Sequence, residues 1–279
     1  MNTTFAIALF LISVVMGLAL KKSAKLAWIM VPCAVGAFVF AVVTRDLELR
    51  VFTWIKVFTL VLTILWINFT RFLPFGEKNF AKMGIWFILA LNILEATVVD
   101  ALGGFYLNSL SGLLLILFIP SWHNLHRTDT SPAQIHWPLG PAWIWAYSFW
   151  NFAFVGRFYH FHLTDHLAIV WVPVLLTTLK PEAWLQMRGY ILSMYAIAIV
   201  TLEEGYGVDW PLTAMNFNDT TYHITAAAGL TLTLFHSGKT LKTIIQKREA
   251  LPPNQWPAIF QIKGGHRIIG LFQKNLPKE

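Results

Sequence analysis

Residues 89–100 read Leu89-Ala90-Leu91-Asn92-Ile93-Leu94-Glu95-Ala96-Thr97-Val98-Val99-Asp100. This segment is apolar enough to lie in a bilayer, yet it carries a carboxylate, Glu95, and an amide, Asn92. An ionisable group at membrane depth costs about 2.5–3.5 kcal/mol on insertion scales, so such residues usually face a partner, a cavity or a solute path. Asn92 and Glu95 are three residues apart and share one helix face. A structural role, in which Glu95 only joins helices by hydrogen bonds, stays open beside the functional one.

The composition predicts a membrane protein. Of the 279 residues, 56% are hydrophobic and 13% are charged, whereas soluble domains carry about a quarter charged residues. The mean hydropathy is +0.58, and apolar runs recur along most of the chain. We therefore expect an all-α fold, a polytopic bundle of transmembrane helices whose first partner is the lipid bilayer. The net charge of +7 does not indicate a nucleic-acid partner, because the basic residues follow the loops of such a bundle.

About nine segments are expected to cross the bilayer. A count of seven or eight stays open, because several segments are shorter than the roughly 20 residues of a full crossing. The segments are Thr4–Leu20, Leu26–Thr44, Val51–Thr70, Gly84–Val99, Gly103–Pro120, Pro138–Val155, Asp165–Thr178, Tyr190–Thr201 and Tyr222–His236. They form one transmembrane domain, residues 1–238, which is followed by a basic cytoplasmic tail, residues 239–279.

The basic residues orient this bundle. Most lysines and arginines fall in alternate loops, beginning with Lys21, Lys22 and Lys25 and including Lys180 and Arg188, and in the tail. The positive-inside rule then places the amino terminus outside and the carboxyl terminus in the cytoplasm. The expected location is the bacterial inner (cytoplasmic) membrane, crossed many times.

Polar residues within or beside the spans define a candidate path for a small solute or ion. They are Lys56, Asn92, Glu95, Asp100, Asn151, Glu203 and Glu204. Lys56 has two open interpretations: it snorkels to the interface, or it pairs with one of the glutamates. A carboxylate at membrane depth that exchanges a proton is a usual device of transporters. We therefore expect Glu95 to couple proton movement to solute passage.

A second group of residues could bind a divalent metal. His162 and His166 are four residues apart with Asp165 between them, and the outer acidic segment leads to His223. Histidine and carboxylate side chains at this spacing ligate metals on one helix face. The alternative is a belt of interfacial aromatic and polar residues. His123, His126 and His136 lie on the opposite side of the predicted bundle, which argues against a multi-histidine iron centre.

Several strings of the chain resemble a known family. They are Trp54-Ile-Lys56-Val-Phe, Ala90-Leu-Asn-Ile-Leu-Glu-Ala96 with Asp100, Trp150-Asn-Phe-Ala153, Thr164-Asp-His166 and Ala183-Trp-Leu-Gln-Met-Arg188. Over roughly residues 50–190 the chain is similar to an uncharacterised family, a domain of unknown function, of bacterial polytopic integral membrane proteins. The resemblance implies a shared fold but no activity. It groups Lys56, Asn92, Glu95, Asp100, Asn151, Asp165 and His166 into one set.

Three functions compete. The leading hypothesis is a transporter or channel for a small solute or ion. The second is a membrane enzyme or a metal- or cofactor-binding protein with an outward-facing site made from the histidines and acids. The third is a structural subunit of a larger membrane complex, whose polar residues bond helix to helix or to a pigment or haem. Whether the chain forms a homo-oligomer stays open.

Overall fold

The structure, a computed structural model, describes residues 3–45, 51–158, 163–178, 180–199, 217–246, 257 and 260. Within these ranges the chain is almost entirely helical. The helices are α1 (Thr3–Lys22), α2 (Ala24–Arg45), α3 (Val51–Phe72), α4 (Asn79–Leu102), α5 (Tyr106–Leu117), α6 (Pro141–Phe158), α7 (Leu163–Leu176), α8 (Trp184–Ile199) and α9 (Asp219–Gln246). The predicted all-α fold is confirmed.

Each of the nine apolar segments predicted from the sequence falls on one of these helices, with shifts at the ends. The largest shift that matters for the site is in α8, which begins at Trp184 and not at Tyr190. Helix α9 runs without a break from Asp219 to Gln246, so it continues through the boundary predicted after residue 238.

Only α4 is both long and apolar enough by itself to cross a membrane, within the part of the chain that the structure describes. A second span results if α1 and the first part of α2, which are bent by 117° at their junction, count as one broken segment. Helices α5, α7 and α8 have 12, 14 and 16 residues, fewer than the roughly 20 that a full crossing needs. Because only one or two helices meet these criteria, the nine-span count is not confirmed. Buried core helices of soluble proteins also share the length and apolarity of α4.

Local sequence explains where several helices begin and end. Ser23 separates α1 from α2, and its hydroxyl accepts a hydrogen bond from the Leu26 amide at 3.1 Å, which caps the start of α2. Helix α6 begins with Pro141, directly after Gly140 at φ 82°. Proline suits the first helical position because its missing N–H has no partner there, and glycine adopts the positive φ without strain.

The core is built around α6, most of whose residues are buried. Helix α6 packs against α5, α7 and α9, while α3 packs against α4 and α8. Four tryptophans lie fully buried within this packing: Trp137, Trp143, Trp150 and Trp184. Trp143, Tyr147 and Trp150 follow one another at helical spacing on α6 and are buried, and Trp143 stacks on Tyr147 with ring centroids 5.5 Å apart.

A short hairpin closes one end of the bundle. Strands β1 (His126–Arg127) and β2 (Ile135–His136) are antiparallel, with His126 opposite His136. The amide of Ile135 donates to the Gln186 side chain at 2.8 Å, and the side-chain amide of Gln186 donates to Gln134 at 2.7 Å. The hairpin is thereby held against the start of α8.

Arg71, at the end of α3, joins the same end of the bundle. Its guanidinium is fully buried and donates to the carbonyls of Leu20, Lys21 and Ala133 and to the Tyr190 hydroxyl, at 2.7–3.0 Å. The first two carbonyls belong to the last turn of α1, where backbone acceptors have no partner inside the helix. A single side chain therefore ties α1, α3, the hairpin and α8 together.

Candidate functional site

A cavity opens where α3, α4, α6 and α8 meet. Its empty space, mouth included, is about 460 Å³. It is lined by Thr63, Ile67, Ile85, Ile88, Leu89, Asn92, Tyr147, Leu185, Arg188, Gly189 and Leu192. Most of these side chains are apolar, and a few polar groups converge among them, which is the usual make-up of a binding site for a small molecule.

The close approach of α3 and α8 shapes one wall of this cavity. A Cβ atom added to Gly189 would collide with the Cδ1 atom of Ile67. A larger residue at this position would therefore require the Ile67 side chain to move. Because Gly189 directly follows Arg188, the packing also fixes where the Arg188 side chain leaves the helix.

Arg188 is the central polar residue of the cavity. Its side chain is 3% exposed. Nη1 donates to the Ile169 carbonyl at 3.1 Å, and Nη2 donates to Asn151 Oδ1 at 2.9 Å. Nε is buried, and it has no hydrogen-bond partner among the described residues. Among the residues that the structure describes, no carboxylate lies within ion-pair distance of this guanidinium.

Asn151 and His166 form a second layer behind Arg188. An arginine only donates hydrogen bonds, so the Asn151 amide must turn its oxygen toward Arg188. The same oxygen lies 2.6 Å from His166 Nε2, and this ring nitrogen must therefore carry a proton and donate. Both residues are buried. Asn151 thus holds Arg188 in place, and His166 holds Asn151.

Tyr147 supports Arg188 from α6. The guanidinium carbon lies 5.8 Å from the centre of the Tyr147 ring, within the range of a cation–π contact. Ring contacts with Trp143, Trp150 and Trp184 hold Tyr147 in turn. The position of Arg188 is therefore fixed by α6, α7 and α8 together.

The predicted path residues do not all reach this cavity. Asn92 lines it, and Asn151 contacts it through Arg188. Glu95 lies about one turn further along α4, half-buried and outside the lining. The backbone of Lys56 lies in α3, but its side chain is outside the described residues, as are Glu203 and Glu204.

Asp100 belongs to a separate polar centre between α4, α5 and α6. It is fully buried, and its Oδ2 atom accepts a hydrogen bond from Asn108 Nδ2 at 2.8 Å. The same Asn108 nitrogen donates to the Trp150 carbonyl at 3.2 Å. Asp100 Oδ1 and Asn108 Oδ1 are also buried, and neither has a hydrogen-bond partner among the described residues. The structure therefore places Asp100 with Asn108 and not with Arg188.

The predicted metal ligands are only partly described. His162 and the Asp165 side chain lie outside the described residues. His166 faces Asn151, and the exposed His223 lies against the neighbouring Tyr222 with ring centroids 5.2 Å apart. In the described part of the chain, no group of three or more His, Cys, Asp or Glu side chains could hold a metal ion.

Arg188 is not among the site residues predicted from the sequence. Its charge was assigned to a cytoplasmic loop, because the predicted span began at Tyr190. The available signal was the run Trp184-Leu-Gln-Met-Arg188-Gly-Tyr190, in which apolar residues recur with helical spacing on both sides of the arginine. Extended back to Trp184, the helix takes Arg188 into the bundle.

Comparison with known proteins gives the relationship of the chain. Neither the curated proteins nor the solved structures include a match to it. The model of one family, however, matches residues 1–253, and that family is described as a family of unknown function (DUF5692). This match extends beyond the region on which the resemblance was based. The chain, with its buried arginine and adjoining cavity, belongs to the DUF5692 family of unknown function.

Proposed function

We propose that the protein is an integral membrane transporter or channel for a small solute or ion, and that its path includes the cavity between α3, α4, α6 and α8. The observation that carries this proposal is the buried Arg188 in the wall of that cavity, together with Asn92 of α4, which also lines it. Buried charged groups in membrane proteins mark substrate and ion paths.

The surface of the helices supports the membrane setting. Large apolar side chains on α1, α2, α4 and α5 are exposed, among them Val43 at 74%, Leu102 at 84% and Tyr106 at 73% exposed. Exposed apolar surface of this extent is unfavourable in water and natural against lipid. Together with the loop distribution of lysine and arginine, it favours an inner-membrane protein with the amino terminus outside.

The chemistry of the lining favours binding over catalysis. Arginine stays charged and does not exchange protons at ordinary pH. The Thr63 hydroxyl donates to the Thr59 carbonyl of its own helix at 2.7 Å, so it is not paired with a base. These groups can hold and orient a solute, but nothing in their arrangement activates a nucleophile.

Glu95 is the proposed coupling carboxylate. It lies three residues after Asn92 on α4, so it is on the same side of the helix, about one turn beyond the cavity lining. A solute in the cavity and a proton on Glu95 would then both bind to α4, about one turn apart. This arrangement supports proton-coupled passage, in which exchange at Glu95 accompanies movement of the solute.

Flux through liposomes containing the purified protein tests the proposal. The probes are erythritol, potassium and methanesulfonate, which represent neutral, cationic and anionic solutes, with a trapped pH dye to follow protons. We expect faster flux of at least one probe than in empty liposomes, and at least a tenfold loss in Asn92→Leu, which fills the cavity wall. Glu95→Gln should keep solute flux but abolish the accompanying pH change.

Glu77→Gln is the matched control. Glu77 is exposed, pairs with Arg127 at 3.1 Å and is not among the residues that line the cavity. It should transport and couple like the unchanged protein. Equal flux in protein-containing and empty liposomes for all three probes would reject a transport function.

A further inference from the structure

We propose that the solute bound in this cavity is a small monovalent oxyanion, such as a short carboxylate, and that Arg188 is its binding residue. The inference rests on the proposed function for its biological role. The binding site itself depends only on the described contacts of Arg188.

The charge of Arg188 is not neutralised by any carboxylate of the described residues. Arg188 is 3% exposed, and the described residues supply no carboxylate to pair with it. An isolated buried charge is strongly unfavourable unless an opposite charge and hydrogen bonds compensate it. The groups that Arg188 does contact are neutral: a carbonyl, an amide oxygen and an aromatic ring. A bound anion of one negative charge balances the site.

The guanidinium of Arg188 has N–H donors that its described contacts do not use. A guanidinium has five N–H groups in a planar fork. The described contacts of Arg188 use one on Nη1 and one on Nη2, and leave Nε without a partner. An N–H on Nε lies beside one on an Nη atom, and this pair of donors matches two oxygens of one carboxylate.

Arg71 shows what a structural arginine looks like in the same chain. Its three nitrogens all donate, to three carbonyls and a hydroxyl. That guanidinium is satisfied by the protein itself. Arg188 is also buried and lines a cavity, but its Nε atom has no hydrogen-bond partner among the described residues. The difference assigns a ligand to Arg188 and none to Arg71.

The lining of the cavity suits a small organic anion. Its empty space of about 460 Å³ includes the mouth, and Leu185, Leu192 and Ile88 crowd the lining. The apolar wall suits the short hydrocarbon part of a carboxylate. Asn92, the amide in the α4 wall, supplies a further donor. An apolar surround also strengthens the attraction between the guanidinium and the anion relative to water.

Binding is measured first, in detergent. Thermal unfolding is followed by tryptophan fluorescence while acetate replaces chloride at a constant sodium concentration. We expect the midpoint to rise with acetate and to saturate, and we expect the same with methanesulfonate. Arg188→Gln should weaken the apparent affinity at least tenfold. Arg188→Lys, which keeps the charge but lacks the fork, should weaken it less.

The matched control is Arg157→Gln. Arg157 also lies on a bundle helix, α6, but it is partly exposed and pairs with Asp219 at 2.7 Å. This variant should bind acetate as the unchanged protein does. If Arg188→Gln does not fold, Arg188→Lys and Asn92→Leu carry the test. No difference between acetate and chloride in the unchanged protein overturns the inference, and so does full acetate binding in Arg188→Gln.

Flux separates this inference from the proposed function. Liposomes that pass methanesulfonate, and lose that flux in Arg188→Gln, support both. Liposomes that pass erythritol or potassium but exclude methanesulfonate support transport and overturn the anion. Saturable acetate binding without flux of any probe supports the anion site and overturns transport.

Discussion

Arg71 and Arg188 show how one residue type takes different roles according to its partners. Both are buried cations at the edge of predicted spans, and the positive-inside pattern treats them alike. The structure separates them by their acceptors. Arg71 meets backbone carbonyls at the end of α1 and the hydroxyl of Tyr190, which itself donates to Asn68. Arg188 meets a shared amide oxygen and one carbonyl.

Removal of the Arg71 side chain should destabilise the whole bundle. Arg71→Ala leaves several buried acceptors without donors, and each unsatisfied group costs about 1–3 kcal/mol. We expect a loss of about 3 kcal/mol or more, measured as a lower unfolding midpoint in detergent. Arg127→Ala is the control, because exposed pairs such as Arg127 with Glu77 contribute only about 0–1 kcal/mol. Equal midpoints for the two variants would contradict the structural role of Arg71.

At the scale of the element, hydrophobic runs predict helices better than they predict helix ends. The nine apolar runs each mark a helix, because burial of apolar side chains and internal backbone hydrogen bonds favour helices in such segments. The start of α8 was placed too late because Gln186 and Arg188 are polar by type, although both are buried. Polarity in the sequence does not say whether another helix supplies a partner.

The candidate site was predictable only in part for the same reason. Asn92, Asn151 and His166 stand out as polar residues in apolar runs. Their partners do not, because the link from Arg188 to Asn151 joins residues 37 positions apart. Such links depend on how α6, α7 and α8 pack. The sequence therefore predicts which residues are unusual, and packing decides that Asp100 and Arg188 belong to different centres.

Close helix packing makes a prediction about glycine. A Cβ atom at Gly112 in α5 would meet Thr97 Oγ1 and Trp150 Nε1, whereas one at Gly238 in α9 would meet nothing within 4 Å. Gly112→Ala should destabilise the protein by about 1–3 kcal/mol through overpacking. Gly238→Ala should stabilise it by up to about 1 kcal/mol, because alanine is the better helix former. The two unfolding midpoints, compared with that of the unchanged protein, check both signs.

The hairpin predicts a pH effect on stability. Burial lowers the pKa of His136 below its ordinary value of 6.5, and the positive charge of His126 lowers it further, as do Lys180 and Lys21, while Glu182 raises it. The unfolded chain therefore binds this proton at a higher pH than the folded chain. Stability from His136 is present above pH 6.5 and is lost as the pH falls toward the lowered pKa.

His136→Gln should remove this part of the pH dependence. Between pH 7.5 and 5.5 the unfolding midpoint of the variant should fall less than that of the unchanged protein. His123→Gln, which changes a neighbouring histidine outside the strand pair, should follow the unchanged protein. Parallel curves for all three proteins would show that His136 titrates alike in the folded and unfolded states.

At the scale of the whole molecule, the proposed topology places the two ends of the bundle in different compartments. Asp129, in the hairpin, and Thr220, at the start of α9, are both exposed. With the free Cys33 replaced by serine, Asp129→Cys should react with a membrane-impermeant thiol reagent only from the cytoplasmic side. Thr220→Cys should react only from the outside, because in the proposed topology α6, α7 and α8 each cross the membrane between the two positions. Reaction of both from one side would reject this topology.

The contacts of α1 have a consequence for the order in which the chain matures. The carbonyls of Leu20 and Lys21 receive donors from Arg71 and Gln134, and the carbonyl of Leu9 receives the hydroxyl of Tyr195. The last of these contacts joins residues 186 positions apart. The docking of α1 is therefore complete only after the ribosome has made α8, which supplies Tyr195. A chain that ends before residue 195 therefore keeps the contacts of α1 with Arg71 and Gln134 but lacks the hydrogen bond that Tyr195 donates to its first half.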